Sequence, residues 1–136
     1  MPPRRKLTPQ QIRWRSMSER QFQQWVMDLA RACGWRVWHF NDSRRQVKPG
    51  VWVGDADAAG FPDLVLAHPR WGVIFRELKA EGEKPTPKQE QALADLRAAA
   101  ADAKVWWPHD EEEICLRLTR ASVEPLNKLS PRVDSI

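Results

Sequence analysis

The sequence is poor in cysteine and holds no long apolar run. Its two cysteines, Cys33 and Cys115, lie far apart and outside any CxxC pair, which reads as reduced thiols and excludes a disulfide framework or a structural zinc site. No apolar stretch approaches membrane-spanning length, and the opening MPPRRKLTPQQ lacks the apolar core of a secretory signal, so a cytoplasmic protein is expected. There is no internal repeat. With 42% hydrophobic and 29% charged residues, the composition excludes a disordered, collagenous or coiled-coil chain. A length of 136 residues allows one hydrophobic core rather than two.

Charge is present but unevenly placed. Residues 1–48 carry eleven basic and three acidic side chains, whereas residues 49–136 carry eleven and fifteen. A net charge of +4 therefore conceals a basic first third suited to a polyanion. Residues 1–15, rich in Pro, Arg, Lys and Gln, read as a basic arm, mobile without a partner, with a helical turn around Pro9 to Trp14. Residues 16–121 read as the folded domain. From Ser122 onward Pro125 and Pro131 interrupt any period, and residues 122–136 are set aside as a tail.

Within the domain the first clear element is a helix. Ser18 with Gln21 forms a capping box, Gly34 supplies the stop, and Phe22, Trp25, Val26, Leu29, Ala30 and Cys33 recur at helical spacing as one apolar stripe. WRVWHF (35–40) has strand composition, and the Gly- and charge-rich residues 41–60 read as a long connection, functional or mobile. PDLVLA (62–67) and GVIFRELKA (72–80) form two strands around a bend holding His68, Pro69, Arg70 and Trp71. Thr86, Pro87 and Gln89 open an alanine-rich helix with Leu93, Leu96, Ala100 and Ala103 on one side. KVWW (104–107) is a fourth strand. Asp110 to Glu113 suit the first turn of a short last helix docked by Ile114 and Leu118. The expected class is α/β: helix, three strands, helix, strand, with a small helix appended.

The hairpin carries the chemistry. If Ala67 pairs with Val73, Asp63 falls opposite Glu77 on the same face, where like charges are unfavourable unless a cation offsets them. Lys79, two residues beyond Glu77, projects from that face too, whereas Leu78 points away. A register slip of one residue would separate the two carboxylates. Two carboxylates, a backbone carbonyl and a substrate phosphate oxygen suit Mg²⁺. Such an ion activates water and neutralises charge developing on phosphorus, and the ammonium orients the water or shares that charge. The implied reaction is phosphodiester hydrolysis. Taken alone, ExK on an exposed strand is only a casual ion pair.

GFPDLVLAHPRWGVIFRELKAEGEKPTPKQEQALADL (60–96) resembles the VRR-NUC branch of the PD-(D/E)xK nucleases, in particular its small stand-alone phage members. The likeness extends back to SERQFQQWVMDLARACGW and on through KVWWP. It implies a restriction-endonuclease-like αβββαβ core, a mixed four-stranded sheet flanked by helices. It also implies that Asp63, Glu77 and the carbonyl of Leu78 bind Mg²⁺ or Mn²⁺ while Lys79 acts on the attacking water. Glu19 matches the family's upstream acidic position, either as a metal ligand, direct or through water, or as a carboxylate favoured by the helix N-terminus. Gln89 matches a glutamine of the active-site surroundings, a role that competes with its capping box. The implied localisation is the host cytoplasm.

Nucleic acid would be held by the cluster after the first strand. His39, Ser43, Arg44, Arg45 and Lys48 lie there, and the HxxDSR wording from His39 through Asp42 to Arg44 resembles phage members of the same family. These residues, with Lys84 and Lys88 near the second helix, would contact phosphates without reading bases. Of the eight tryptophans most are expected in the core, with Trp52 and Trp71 the two suited to substrate contact. The expected partner is DNA, branched or four-way junctions being the family-suggested substrate, cut by a homodimer. The alternatives are a nuclease acting on ordinary duplex or ends, and a non-catalytic DNA-binding module on the same fold.

Overall fold

The computed structural model describes residues 2–40, 45–49, 51–53 and 58–123. Among the described residues four α-helices and six strands follow in chain order. They are α1 (Pro9–Ser16), α2 (Glu19–Ala32), β1 (Arg36–His39), β2 (Arg45–Lys48), β3 (Val51–Val53), β4 (Leu64–His68), β5 (Gly72–Leu78), α3 (Pro87–Ala98), β6 (Asp102–Trp106) and α4 (Glu111–Val123).

The mixed four-stranded sheet has the order β1-β4-β5-β6, antiparallel except for the parallel β5–β6 pair made by the α3 crossover. Such a crossover needs a helix because parallel neighbours cannot be joined by a tight turn. Ala67 pairs with Val73 and Leu64 with Arg76, so the hairpin register is the one its bend length predicts. The long connection 41–60 is not featureless: β2 and β3 pair antiparallel within it as a separate two-stranded sheet. Strands of four and three residues with an irregular step between Gln46 and Lys48 are too short for a period of two to be read from sequence.

Capping places the helices. Ser18 Oγ accepts from Gln21 N at 3.1 Å while Gln21 Oε1 accepts from Ser18 N at 2.9 Å, satisfying two otherwise orphaned amides of α2. After Ala32 the chain turns at Gly34, φ +87°, and Trp35 N returns to Ala30 O at 3.0 Å. The α2 stripe buries Phe22, Val26, Met27 and Ala30 against Leu64, Leu66, Ile74, Leu78 and Trp106 of the sheet and Ile114 and Leu118 of α4. Trp35 Nε1 donates to Leu118 O at 2.9 Å and locks α2's exit onto α4. Leu93 of α3 and Ala103 of β6 are buried outside that cluster.

Several boundaries differ from expectation. The α3 helix ends at Ala98, and Ala100 sits in the left-handed region at φ +68°, so Ala100 and Ala103 do not extend the helical stripe. An alanine run sets no stop, and the turn onto β6 supplies one. The last helix spans 13 residues and reaches Val123, beyond the expected start of the tail. Asp110 precedes it in a 3-10 turn, Pro108–Asp110, its carboxylate accepting from Trp107 N at 2.9 Å. Part of the basic arm is docked: Trp14 Nε1 donates to Glu111 at 2.9 Å, and Arg13 pairs with the same carboxylate. Trp38 is 41% exposed rather than core, because it alternates with Val37, which packs against the core, and so stands on the opposite face of β1. Trp71 is turned inward, packed against the core with Arg120 over its ring, which removes it as an exposed hairpin tip.

Candidate active site

Asp63 stands one residue before β4, and Glu77 and Leu78 end β5. The ladder closes at Leu64 opposite Arg76, which brings Asp63 level with the Glu77–Leu78 step. There Asp63 Oδ2 accepts from Leu78 N at 3.1 Å, a bond that fixes the aspartate against the end of the hairpin. The preceding Pro62 is buried and cannot donate, so it ends the segment without leaving an unpaired amide. Phe40 N donates to Asp63 O at 2.8 Å, tying β1 to the same point.

Glu77 is 1% exposed and its Oε2 has no hydrogen-bond partner among the described residues. Burial first, then the Asp63 charge and a carboxyl–carboxyl hydrogen bond with Asp63, push its carboxyl up to about 8, against the pull of Lys79. Lys79 Nζ lies 3.6 Å from Glu77 Oε1 and 3.9 Å from Glu19 Oε1. Lys79 N donates to Trp106 O at 3.1 Å, so the lysine backbone is anchored to β6 just past the strand end. Glu19 is raised as well, by burial first, opposed by Lys79 and assisted by Asp63 and Glu83. Three carboxylates and one ammonium therefore share one end of the sheet. Glu19 faces the lysine, and among the described residues no group of three or more His, Cys, Asp or Glu side chains is arranged to hold an ion. The donor set available to a hard cation is thus Asp63, Glu77 and a neighbouring carbonyl such as that of Leu78, completed by water or a phosphate.

Gln89 occupies its capping box: Oε1 accepts from Thr86 N at 2.8 Å and its own N donates to Thr86 Oγ1 at 3.2 Å. Its carboxamide oxygen is spoken for at the helix start. Lys84 and Lys88 are both exposed, before and within the first turn of α3. His39 ends β1 opposite Leu64, next to the residue whose amide binds Asp63. Ser43 and Arg44 lie outside the described residues, as does Asp42. Arg45 and Lys48 belong to β2, and their side chains, with that of Trp52 in β3, lie outside the description.

Sequence reasoning missed three residues around this site. Gly60, φ +83°, passes so close to α3 that a Cβ there would lie 2.5 Å from Lys88 O, which welds the approach to Asp63 onto the helix start. Phe40, bonded through its amide to Asp63 O, and Phe61, two residues before Asp63, meet edge to face and remain 46% and 40% exposed. The available signal was an aromatic at each chain entry to the aspartate. In a comparison with protein-family models, with curated proteins and with solved structures, nothing matches the chain.

Proposed function

We propose that this chain is a divalent-metal-dependent deoxyribonuclease of the VRR-NUC kind, built on a restriction-endonuclease-like core and hydrolysing phosphodiester bonds, in branched DNA by preference. One observation carries the reading: the buried Glu77 carboxyl set against that of Asp63, with no donor to its Oε2 among the described residues. Two buried carboxyls in contact are costly when both are ionised, and such pairs concentrate at functional sites. A proton can balance one of the two charges; Mg²⁺ or Mn²⁺ balances both.

Asp63, Glu77 and the Leu78 carbonyl would hold the ion, which when bound supplies charge neutralisation on the phosphoryl group and a more acidic water. The remaining work falls to the chain itself. Lys79 Nζ, steadied between Glu77 and Glu19, donates to the attacking water or to a non-bridging phosphate oxygen. Leu78 N holds Asp63 in one orientation, so no reorganisation accompanies substrate entry. Lys84 and Lys88, with the basic N-terminal third, attract the phosphodiester chain.

The test uses labelled duplex, flap and four-way junction DNA with Mg²⁺, Mn²⁺ or EDTA, comparing the parent with Glu77→Ala and Lys79→Ala. Cleavage that needs metal and is lost in both variants while DNA binding persists supports the nuclease. Binding with no cleavage in any metal overturns it in favour of a non-catalytic DNA-binding module. A dimer in solution that gives paired cuts on the junction would support a two-fold assembly.

A further inference from the structure

Two phenylalanines flank the carboxylate site without entering the core. Phe40 follows β1, and its amide donates to Asp63 O at 2.8 Å; Phe61 lies two residues before Asp63, its amide donating to Ala58 O at 3.0 Å. Their ring centroids are 5.5 Å apart and nearly perpendicular, and Phe61 meets half-buried Phe75 in the same way at 6.1 Å. Yet both rings keep a large part of their area in solvent. The backbone beneath is held at three points: Phe40 on Asp63, Gly60 against Lys88 O, and buried Pro62 between Phe61 and Asp63. Exposed aromatic rings on a fixed backbone beside the carboxylate site offer an apolar face that a ligand of that site can cover.

A ligand that covers the rings must be flat and apolar there, and one that extends to the exposed Lys84 and Lys88 at the start of α3, whose backbone meets Gly60, must carry negative charge. A nucleotide fits both requirements. In an intact duplex each base already has neighbours on both faces, so only an unpaired base has a face to offer. Stacking on aromatic side chains is sequence-tolerant because every base has a π-face.

We infer that Phe40 and Phe61 form a stacking ledge that takes an unpaired nucleobase beside the phosphate to be cut, making the site selective for DNA with a melted or splayed strand. The inference rests on the nuclease reading and narrows its substrate class. The ledge acts by positioning; the rings take no part in bond breaking.

The full chain is titrated in EDTA with a fluorescein-labelled oligothymidylate and, separately, with a fully paired hairpin duplex of equal phosphate count. Parent protein is compared with Phe40→Leu/Phe61→Leu, which keeps apolar bulk, and with Phe40→Tyr/Phe61→Tyr, which keeps the ring. The leucine pair is expected to weaken oligothymidylate binding roughly tenfold, the scale of one lost base stack, with duplex binding little changed. The tyrosine pair restores it. Equal affinities of parent and leucine variant for the oligothymidylate, with DNA binding intact, overturn the ledge and leave the nuclease reading standing. Loss of both ligands together in the leucine pair, or failure of tyrosine to rescue, reduces the rings to a structural role and also overturns it. A parent that runs as a dimer and becomes a monomer in the leucine variant gives this face to a second copy of the chain instead. DNA binding absent in the parent removes the nuclease reading and the ledge together, whereas the expected binding pattern without cleavage in any metal retains the ledge and removes only catalysis.

Discussion

Arg76 and Glu77 are consecutive on β5, ionisable and almost wholly buried, at 2% and 1% exposure, yet they are treated in opposite ways. Arg76 points to the α2 face and is well supplied: Nη1 donates to Phe75 O at 2.9 Å and Asp102 O at 3.0 Å, Nη2 meets Asp102 Oδ1 at 2.9 Å, and the guanidinium lies 4.5 Å from the Trp106 ring. Glu77 points the other way, keeps a bare oxygen, and has another carboxylate for a neighbour. Among the described residues Arg76 keeps only its Nε bare while both terminal nitrogens find acceptors, and a buried charge so compensated serves the fold. One left without such compensation stores a cost that a ligand can relieve, and that contrast separates scaffold from site within two residues.

The contrast breaks most sharply at Glu77. Glu77→Gln is expected to lower metal-dependent cleavage by a factor on the order of 10³, measured in single turnover, while raising the melting temperature of the metal-free protein. A variant that both cleaves and melts like the parent would abolish the distinction. Arg76→Met is the converse: unfolding in urea is expected about 2–3 kcal/mol easier, because Asp102 and two carbonyls lose their donor, with cleavage retained at temperatures where the variant is folded.

Acidity sharpens the same comparison. In the unfolded chain the Glu77 carboxyl releases its proton near 4.5, whereas in the fold it holds the proton up to about 8. Between those values unfolding releases a proton, so the Glu77 contribution to the stability of metal-free parent falls as pH rises through that window and is constant outside it. Glu77→Gln should remove this component of the slope, seen as converging melting temperatures at the acid end and diverging ones at the alkaline end. The smallest effect belongs to a satisfied carboxylate at the surface. Glu111 is held below its ordinary value by the Trp14 hydrogen bond, with Arg13 adding to it. Its contribution is present above the ordinary carboxylate range and is lost as pH falls through the lowered value. Glu111→Gln should therefore cost less than about 1 kcal/mol at neutral pH and change Trp14 fluorescence as α1 is released.

Much of this was legible beforehand for identifiable reasons. The Ser18–Gln21 and Thr86–Gln89 boxes are local, needing only neighbours three residues apart, and both form. The bend between Ala67 and Val73 is short enough to determine its own pairing, and with it the meeting of Asp63, Glu77 and Lys79. What escaped depends on distant partners. Trp14 is docked by a residue 97 positions away, so no local pattern marks it. Arg76 finds its partners Asp102 and Trp106 only through the α3 crossover, and no local pattern marks them. Gln89 shows the opposite limit: a capping motif and a site role use one side chain, and the observed hydrogen bonds satisfy the cap.

The four residues between Ala67 and Gly72 leave a lasting mark on what changes the gene can tolerate. Insertion or deletion of a single codon there shifts every pairing partner by one, exchanging inward and outward side chains along one arm. Two codons together preserve that parity. Length variation at this bend among descendants of the chain should accordingly run in even steps, even though its tip lies far from the carboxylates and touches none of them.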